Sequence, residues 1–83
     1  MNKERRKAIQ EVVNQLNDAR QAIENIKDEE QEYKDNMPEG LQASEKGEKA
    51  DEAVQYCEDA IDTLDTVISS LEDIVGNLES AAE

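Results

Sequence analysis

The side chains of this sequence that could do chemistry are carboxylates and one thiol. Glu58, Asp62 and Asp65 share one face of any helix drawn through them, with Asp59 beside them. Oxygen clusters of that kind suit Mg²⁺ or Ca²⁺. A carboxylate-bridged di-iron site would need Glu-x-x-His pairs on facing helices, and the chain has no His. There is no Gly-rich phosphate loop and no EF-hand spacing. General acid–base catalysis needs a pocket that shifts a carboxylate's pKa, and 83 residues leave little room for one. The acids therefore read as a solvated helix face. The expectation is a non-enzymatic protein with no catalytic, cofactor-binding or metal-ligating residues. Cys57 reads as a small core residue rather than a reactive thiol. A lone cysteine forms no internal disulfide and fits a reducing compartment.

The elements that position these groups follow from composition and period. One domain is the only sensible count at this length. The chain has two Tyr, no Phe, no Trp, one Pro and three Gly, too few aromatic and turn residues for a sheet. Glu, Ala, Leu, Gln and Lys, which are good helix formers, dominate instead. A formal charge of −13 repels nucleic acid and anionic membranes and attracts basic partners. No apolar run follows the charged residues Met1 to Lys7, and none approaches a membrane-spanning length. The expected location is the cytoplasm.

High charge with few aromatics is also the mark of disorder, but the apolar period argues against it. With Ile9 at heptad position a, the a column is Ile9, Leu16, Ile23, Glu30 and Met37, and the d column is Val12, Ala19, Ile26 and Tyr33. In the second half, Val54, Ile61, Ile68 and Val75 hold a, while Ala50, Cys57, Leu64, Leu71 and Leu78 hold d. The first register holds until Glu30 and the second holds throughout, so each half predicts an amphipathic helix with an a/d core. Asn36-Met37-Pro38-Glu39-Gly40 breaks the pattern between them. Helix boundaries are expected near 3–36 and 45–79, with a loop over 37–44. Ser44 is the candidate N-cap of the second helix. That helix could also begin near Pro38 and kink around Gly47, and Gly76 predicts a frayed last turn. The predicted fold is all-α: an antiparallel, coiled-coil-like two-helix hairpin.

The charged columns select the pairing. At position e the first helix carries Arg6, Val13, Arg20, Lys27 and Lys34, and the second carries Asp51, Glu58, Asp65, Glu72 and Glu79. A fold at residue 43 aligns Lys34 with Asp51, Lys27 with Glu58, Arg20 with Asp65 and Arg6 with Glu79. Such a seam of ion pairs fixes orientation and register more than stability. The g flank is apolar instead: Ala53, Ala60, Val67 and Ile74 in the second helix, with Ala8 and Ala22 in the first. A stripe of a, d and g is bundle geometry. It predicts a homodimer in which two hairpins pack g flank to g flank as a four-helix bundle. A lone hairpin, or a third segment from another protein, is the alternative.

The acids are unevenly spread. Residues 1–27 hold six basic and four acidic residues, whereas 28–83 hold three basic and 18 acidic ones. The bend is densest, with Glu29, Glu30, Glu32, Asp35, Glu39, Glu45, Glu48, Asp51 and Glu52. Like charges at helical spacing oppose folding slightly, so this pole either keeps the chain soluble or meets a basic partner. Glu30 in the a column marks a thinning core, a register signal or a contact. Tyr56, at the outward c position, could cover Met37 or Leu41.

The stretch MPEGLQASEKGEKADEAV, Met37 to Val54, with the acidic-apolar helix that follows, resembles small acidic proteins of phages and mobile elements of Gram-positive bacteria. The resemblance covers the loop and second helix. It implies a genomic setting, with the host cytoplasm as location, and brings no activity with it. The hairpin is also similar to Rop-like RNA-binding dimers, through the basic cluster Lys3, Arg5, Arg6 and Lys7. The leading expectation is a non-enzymatic module, an accessory protein binding a basic protein through its acidic tip and second helix. A sharper version is an acidic mimic of nucleic acid that blocks a DNA- or RNA-binding protein. A Rop-like nucleic-acid binder is the reading from another class. Neither membrane nor nucleic acid is the expected partner of the leading one.

Overall fold

Helix-forming residues run almost without interruption on both sides of one Pro-Gly break, and the chain folds accordingly. The computed structural model describes residues 2–81, without the side chains of Glu79 and Ala81. Helix α1 spans Lys3–Asp35, a single turn α2 spans Glu39–Gln42, and α3 spans Glu45–Ala81. The described residues contain no strand. α1 packs on α3 along a rod of 64 × 15 × 12 Å. Among the described residues no helix is long and apolar enough to cross a membrane.

Local chemistry sets the ends of α1. Asn2 is its N-cap, and Asn2 Oδ1 accepts from the Arg5 amide at 2.8 Å, satisfying one of the amides that a helix start leaves unpaired. Asn36 closes the other end, its amide donating to the Glu32 carbonyl at 3.0 Å. Pro38 then starts α2, accepting from the amides of Leu41 and Gln42 at 2.8 and 3.2 Å. The loop expected over 37–44 thus contains a helical turn, and the second long helix does not continue back through it. Ser44 stands at the expected N-cap position of α3, its carbonyl accepting from the Glu48 amide at 3.0 Å, and its hydroxyl donates back to the Leu41 carbonyl at 2.5 Å. Gly76 does not end the helix, which continues through it to Ala81.

Gln42 and Gly47 hold the bend shut. Gln42 Nε2 donates to the Met37 carbonyl at 3.1 Å and to the Asp35 carbonyl at 3.4 Å, occupying acceptors that the end of α1 leaves open. The Gln42 backbone lies directly against buried Gly47, where a Cβ would stand 2.0 Å from the Gln42 carbonyl oxygen. No described glycine has positive φ. Gly47 is therefore required for close approach, not for a special backbone conformation.

The core is a single seam. In α3 it follows the a and d columns: Ala50, Ile61, Ile68 and Val75 are buried, and Cys57, Leu64, Leu71 and Leu78 are half-buried. In α1 it does not. The expected d residues Val12, Ile26 and Tyr33 are 47%, 55% and 48% exposed, and Ala19 is exposed too. The deepest side chain of the helix is Val13, at position e, 1% exposed. Arg20, Lys27 and Lys34 of the same column are half-buried, beside the a residues Ile9, Leu16 and Ile23. α1 is thus turned by roughly 50°, half of one residue step, so that a and e face α3 instead of a and d. The long basic residues explain the turn: their methylene stems cover the seam, and the charged heads of Arg20 and Lys34 reach the acidic column of α3. Met37 ends the a column buried, at 9% exposure, and Glu30 is half-buried before it.

Candidate functional site

Two surfaces carry the chemistry of this hairpin, one charged and one apolar. On the charged flank the e columns of α1 and α3 meet. Arg20 Nε and Nη2 donate to the two carboxylate oxygens of Asp65 at 2.5 and 3.3 Å, and Nη1 donates to Glu24 at 3.1 Å. The fork geometry holds orientation as well as charge. Hydrogen bonding to Asp65 raises the Arg20 pKa above its ordinary value; desolvation opposes this, and the charges of Asp65 and Glu24 add to the rise. Two heptads along, Lys34 Nζ reaches Asp51 Oδ1 at 2.5 Å. The pairing expected between Lys27 and Glu58 is not made: among the described residues no ion pair joins them. Lys27 is half-buried and Glu58 exposed, so the stem of Lys27 packs and Glu58 stays in water. The pair expected between Arg6 and Glu79 lies outside the described residues, since the Glu79 side chain is not described.

At the bend, Glu29, Glu32, Asp35, Glu39, Glu45, Glu48, Asp51 and Glu52 are all exposed. Asp51 meets Lys34, Glu45 meets Lys49 at 3.3 Å, and Asp35 accepts from Gln31 at 3.0 Å. Glu29, Glu32, Glu39, Glu48 and Glu52 enter no ion pair among the described residues. Beside this acidic pole lies a shallow hollow lined by Tyr33, Met37, Pro38 and Leu41, with Lys46 at its edge. Tyr56 does not cover Met37 or Leu41 closely; it is 68% exposed.

The acid group Glu58, Asp59, Asp62 and Asp65 does not converge. Asp65 is held by Arg20 and Asp59 by Gln55 at 3.0 Å, and no three acidic or sulfur side chains among the described residues are placed to hold a metal ion.

The opposite flank is apolar and open. Val67 and Ile74 are 40% and 47% exposed, with half-buried Ala53 and Ala60 continuing their column. The turn of α1 adds a second column that heptad reading had assigned to the core. Because the e columns meet on one side, the d column of α1 lies on the other, with the g column of α3. The register set by Arg20–Asp65 and Lys34–Asp51 places Val12 level with Ile74, Ala19 with Val67, Ile26 with Ala60 and Tyr33 with Ala53, each within one residue. The signal for this second column was the d column itself, apolar from Val12 to Tyr33 beside an e column that is basic except at Val13.

Comparison with family models, with curated proteins and with solved structures gives no match for this chain.

Proposed function

We propose that this chain is a non-enzymatic protein-interaction module, a homodimeric helical hairpin that offers its acidic tip and α3 to a basic protein. A role as an accessory protein of a phage or mobile element is the setting we propose for it. The observation that carries the reading is the pole of exposed acids at the bend, Glu29, Glu32, Glu39, Glu48 and Glu52, with no ion pair among the described residues. A single-sign pole opposes folding through repulsion, and a cationic surface relieves that cost on binding. The mimic reading is weaker, because its regular acidic column is partly used within the hairpin: Asp51 and Asp65 are held by Lys34 and Arg20.

The test is binding of an Arg/Lys-rich peptide, followed by fluorescence anisotropy. Changing Glu29, Glu32, Glu48 and Glu52 to Gln should weaken binding at least tenfold. A control with Glu58, Asp62, Glu72 and Asp73 changed to their amides removes the same charge from the rest of α3, which adds to the binding without anchoring it, and should lose far less. Equal losses in the two variants would reduce the tip to a solubilising feature.

A further inference from the structure

The self-association in that reading can be given a geometry, and the inference rests on it. We infer that a second copy of this chain covers the open apolar flank, running antiparallel to the first, so that α1 lies on α1, α3 lies on α3, and each tip rests near the other copy's base.

The flank has the form of an interface. From Val12 to Tyr33 it is roughly 32 Å long and two helices, roughly 20 Å, wide. Covering it buries on the order of 600 Å² per copy, about 1,200 Å² in all, which reaches the lower edge of specific interfaces. Five of its members, Val12, Ile26, Tyr33, Val67 and Ile74, are large apolar side chains left 40–55% exposed. A contiguous patch of this kind on a chain of charge −13 calls for a cover.

The cover itself is apolar and weakly charged. Beside the g column of α3 runs the c column Tyr56, Thr63, Ser70 and Asn77, with no charge along its length. In a helix whose e column is wholly acidic, that leaves one flank on which α3 can approach a second α3 without carboxylates meeting. A foreign basic partner would find no acid to pair with along these two columns. Another copy of this flank meets no such mismatch.

Steric and charge patterns select the direction. An antiparallel copy sets Val12 against Tyr33, Ala19 against Ile26, Val67 against Ala60 and Ile74 against Ala53. Three of these four contacts place a large side chain on an alanine, which lets the layers interlock. Arg5, exposed, continues the d column of α1 one heptad past Val12 toward the base. Reversal of the second copy carries Arg5 roughly 7 Å past the level of Asp35, where α1 ends, and so to the acidic tip. The parallel alternative, with both tips at one end, also interlocks large with small, but it stacks the two acidic poles. Charge therefore decides between two packings that sterics leave equal.

The two-fold axis of the antiparallel pair passes beside Ala22, an exposed residue of the first helix's g column. In a background with Cys57→Ala, Ala22→Cys should then form a disulfide with its own copy under mild oxidation. In the parallel packing it faces α3 of the other copy and should not. Light scattering of the unmodified chain should give twice 9.3 kDa, and Ile26→Glu with Val67→Glu should return it to the single-chain mass with helical circular dichroism retained. A single-chain mass for the unmodified protein at high concentration and moderate salt overturns both the self-association and this geometry. A double mass without the Ala22→Cys crosslink overturns the geometry alone. Arg5→Glu gives a second check, with at least tenfold weaker association expected at low salt. An unchanged association constant would count against the antiparallel arrangement. None of these measurements involves a basic partner, so they stand apart from the tip's own test.

Discussion

The carbonyl oxygen of Gln42 lies where it would stand 2.0 Å from a Cβ on Gly47. Real Cβ atoms do not approach oxygen so closely, and the obstacle is backbone, which cannot swing aside as a side chain can. Gly47→Ala must push α2 off α3. We expect a loss of about 1–3 kcal/mol, the range for overpacking, measured by urea unfolding. Gly40 and Gly76 have open space around the same position and no positive φ. Alanine at Gly76, inside α3, should add about 0.5–1 kcal/mol through helix propensity. A Gly47→Ala protein as stable as the parent would mean the bend closes differently.

Gln42 acts on the same bend through its side chain. Its amide serves the Asp35 and Met37 carbonyls at the end of α1. Gln42→Ala should cost about 0.5–1.5 kcal/mol, the net value of ordinary hydrogen bonds, and should speed amide exchange in α2 before it affects the middle of α1. Uniform acceleration along the chain would show that the tip has no stability of its own to lose.

The charged flank predicts unequal effects from residues that look alike in the sequence. Lys34 and Asp51 form a pair with partial shielding, 22% and 56% exposed at the side chain. A double-mutant cycle on them should return a coupling of about 0.2–1 kcal/mol that shrinks with salt. Lys27, with no ion pair among the described residues, should tolerate methionine within about 0.5 kcal/mol, because Met keeps the stem that packs on the seam. Arg20 gives the sign of the pH effect. Its pKa is raised in the fold, so its pairing contributes fully below the ordinary arginine value and is lost only as pH climbs through the raised one. The parent should therefore be more stable than Arg20→Gln by a margin that stays constant across neutral pH, because Arg20 remains charged throughout that range. No margin at neutral pH, or one that drifts across it, would contradict the pairing with Asp65.

What the sequence made legible was whatever depends on neighbours along one helix. The break at Asn36 to Gly40, the a and d columns of α3 and the opposed signs of the two e columns are all local patterns with a fixed period. The turn of α1 was not legible, because d and e are one residue apart and both had a claim on the seam. The d column offered apolar surface; the e column offered Val13 and three stems whose charges α3 could answer. Only the register between the helices decides that contest. The need for Gly47 was not legible for a related reason: its neighbour, the Gln42 carbonyl, arrives through the fold of the bend, and no spacing rule announces it. Among the acids of the candidate tip, the sequence marked the cluster but not which members are engaged, since Asp51 finds Lys34 across the hairpin and Glu39 finds no ion pair among the described residues.

The two proposed surfaces should answer to salt with opposite sign. Each copy carries a charge of −13, so two copies repel at long range, and their contact is apolar apart from the base-to-tip attraction. With a Debye length near 30 Å at 0.01 M and about 8 Å at 0.15 M, added salt screens the repulsion that acts across the whole rod before it weakens the short contact of Arg5 with the tip. Self-association should therefore tighten as salt rises from 0.01 to about 0.15 M. Binding of a basic peptide to the tip is attraction between opposite charges alone, and it should weaken several-fold over the same range. Sedimentation of the free protein and anisotropy of the labelled peptide, run in the same buffers, measure the two constants side by side. If both fall together with salt, the dimer contact is itself electrostatic, and the apolar flank is not what holds it.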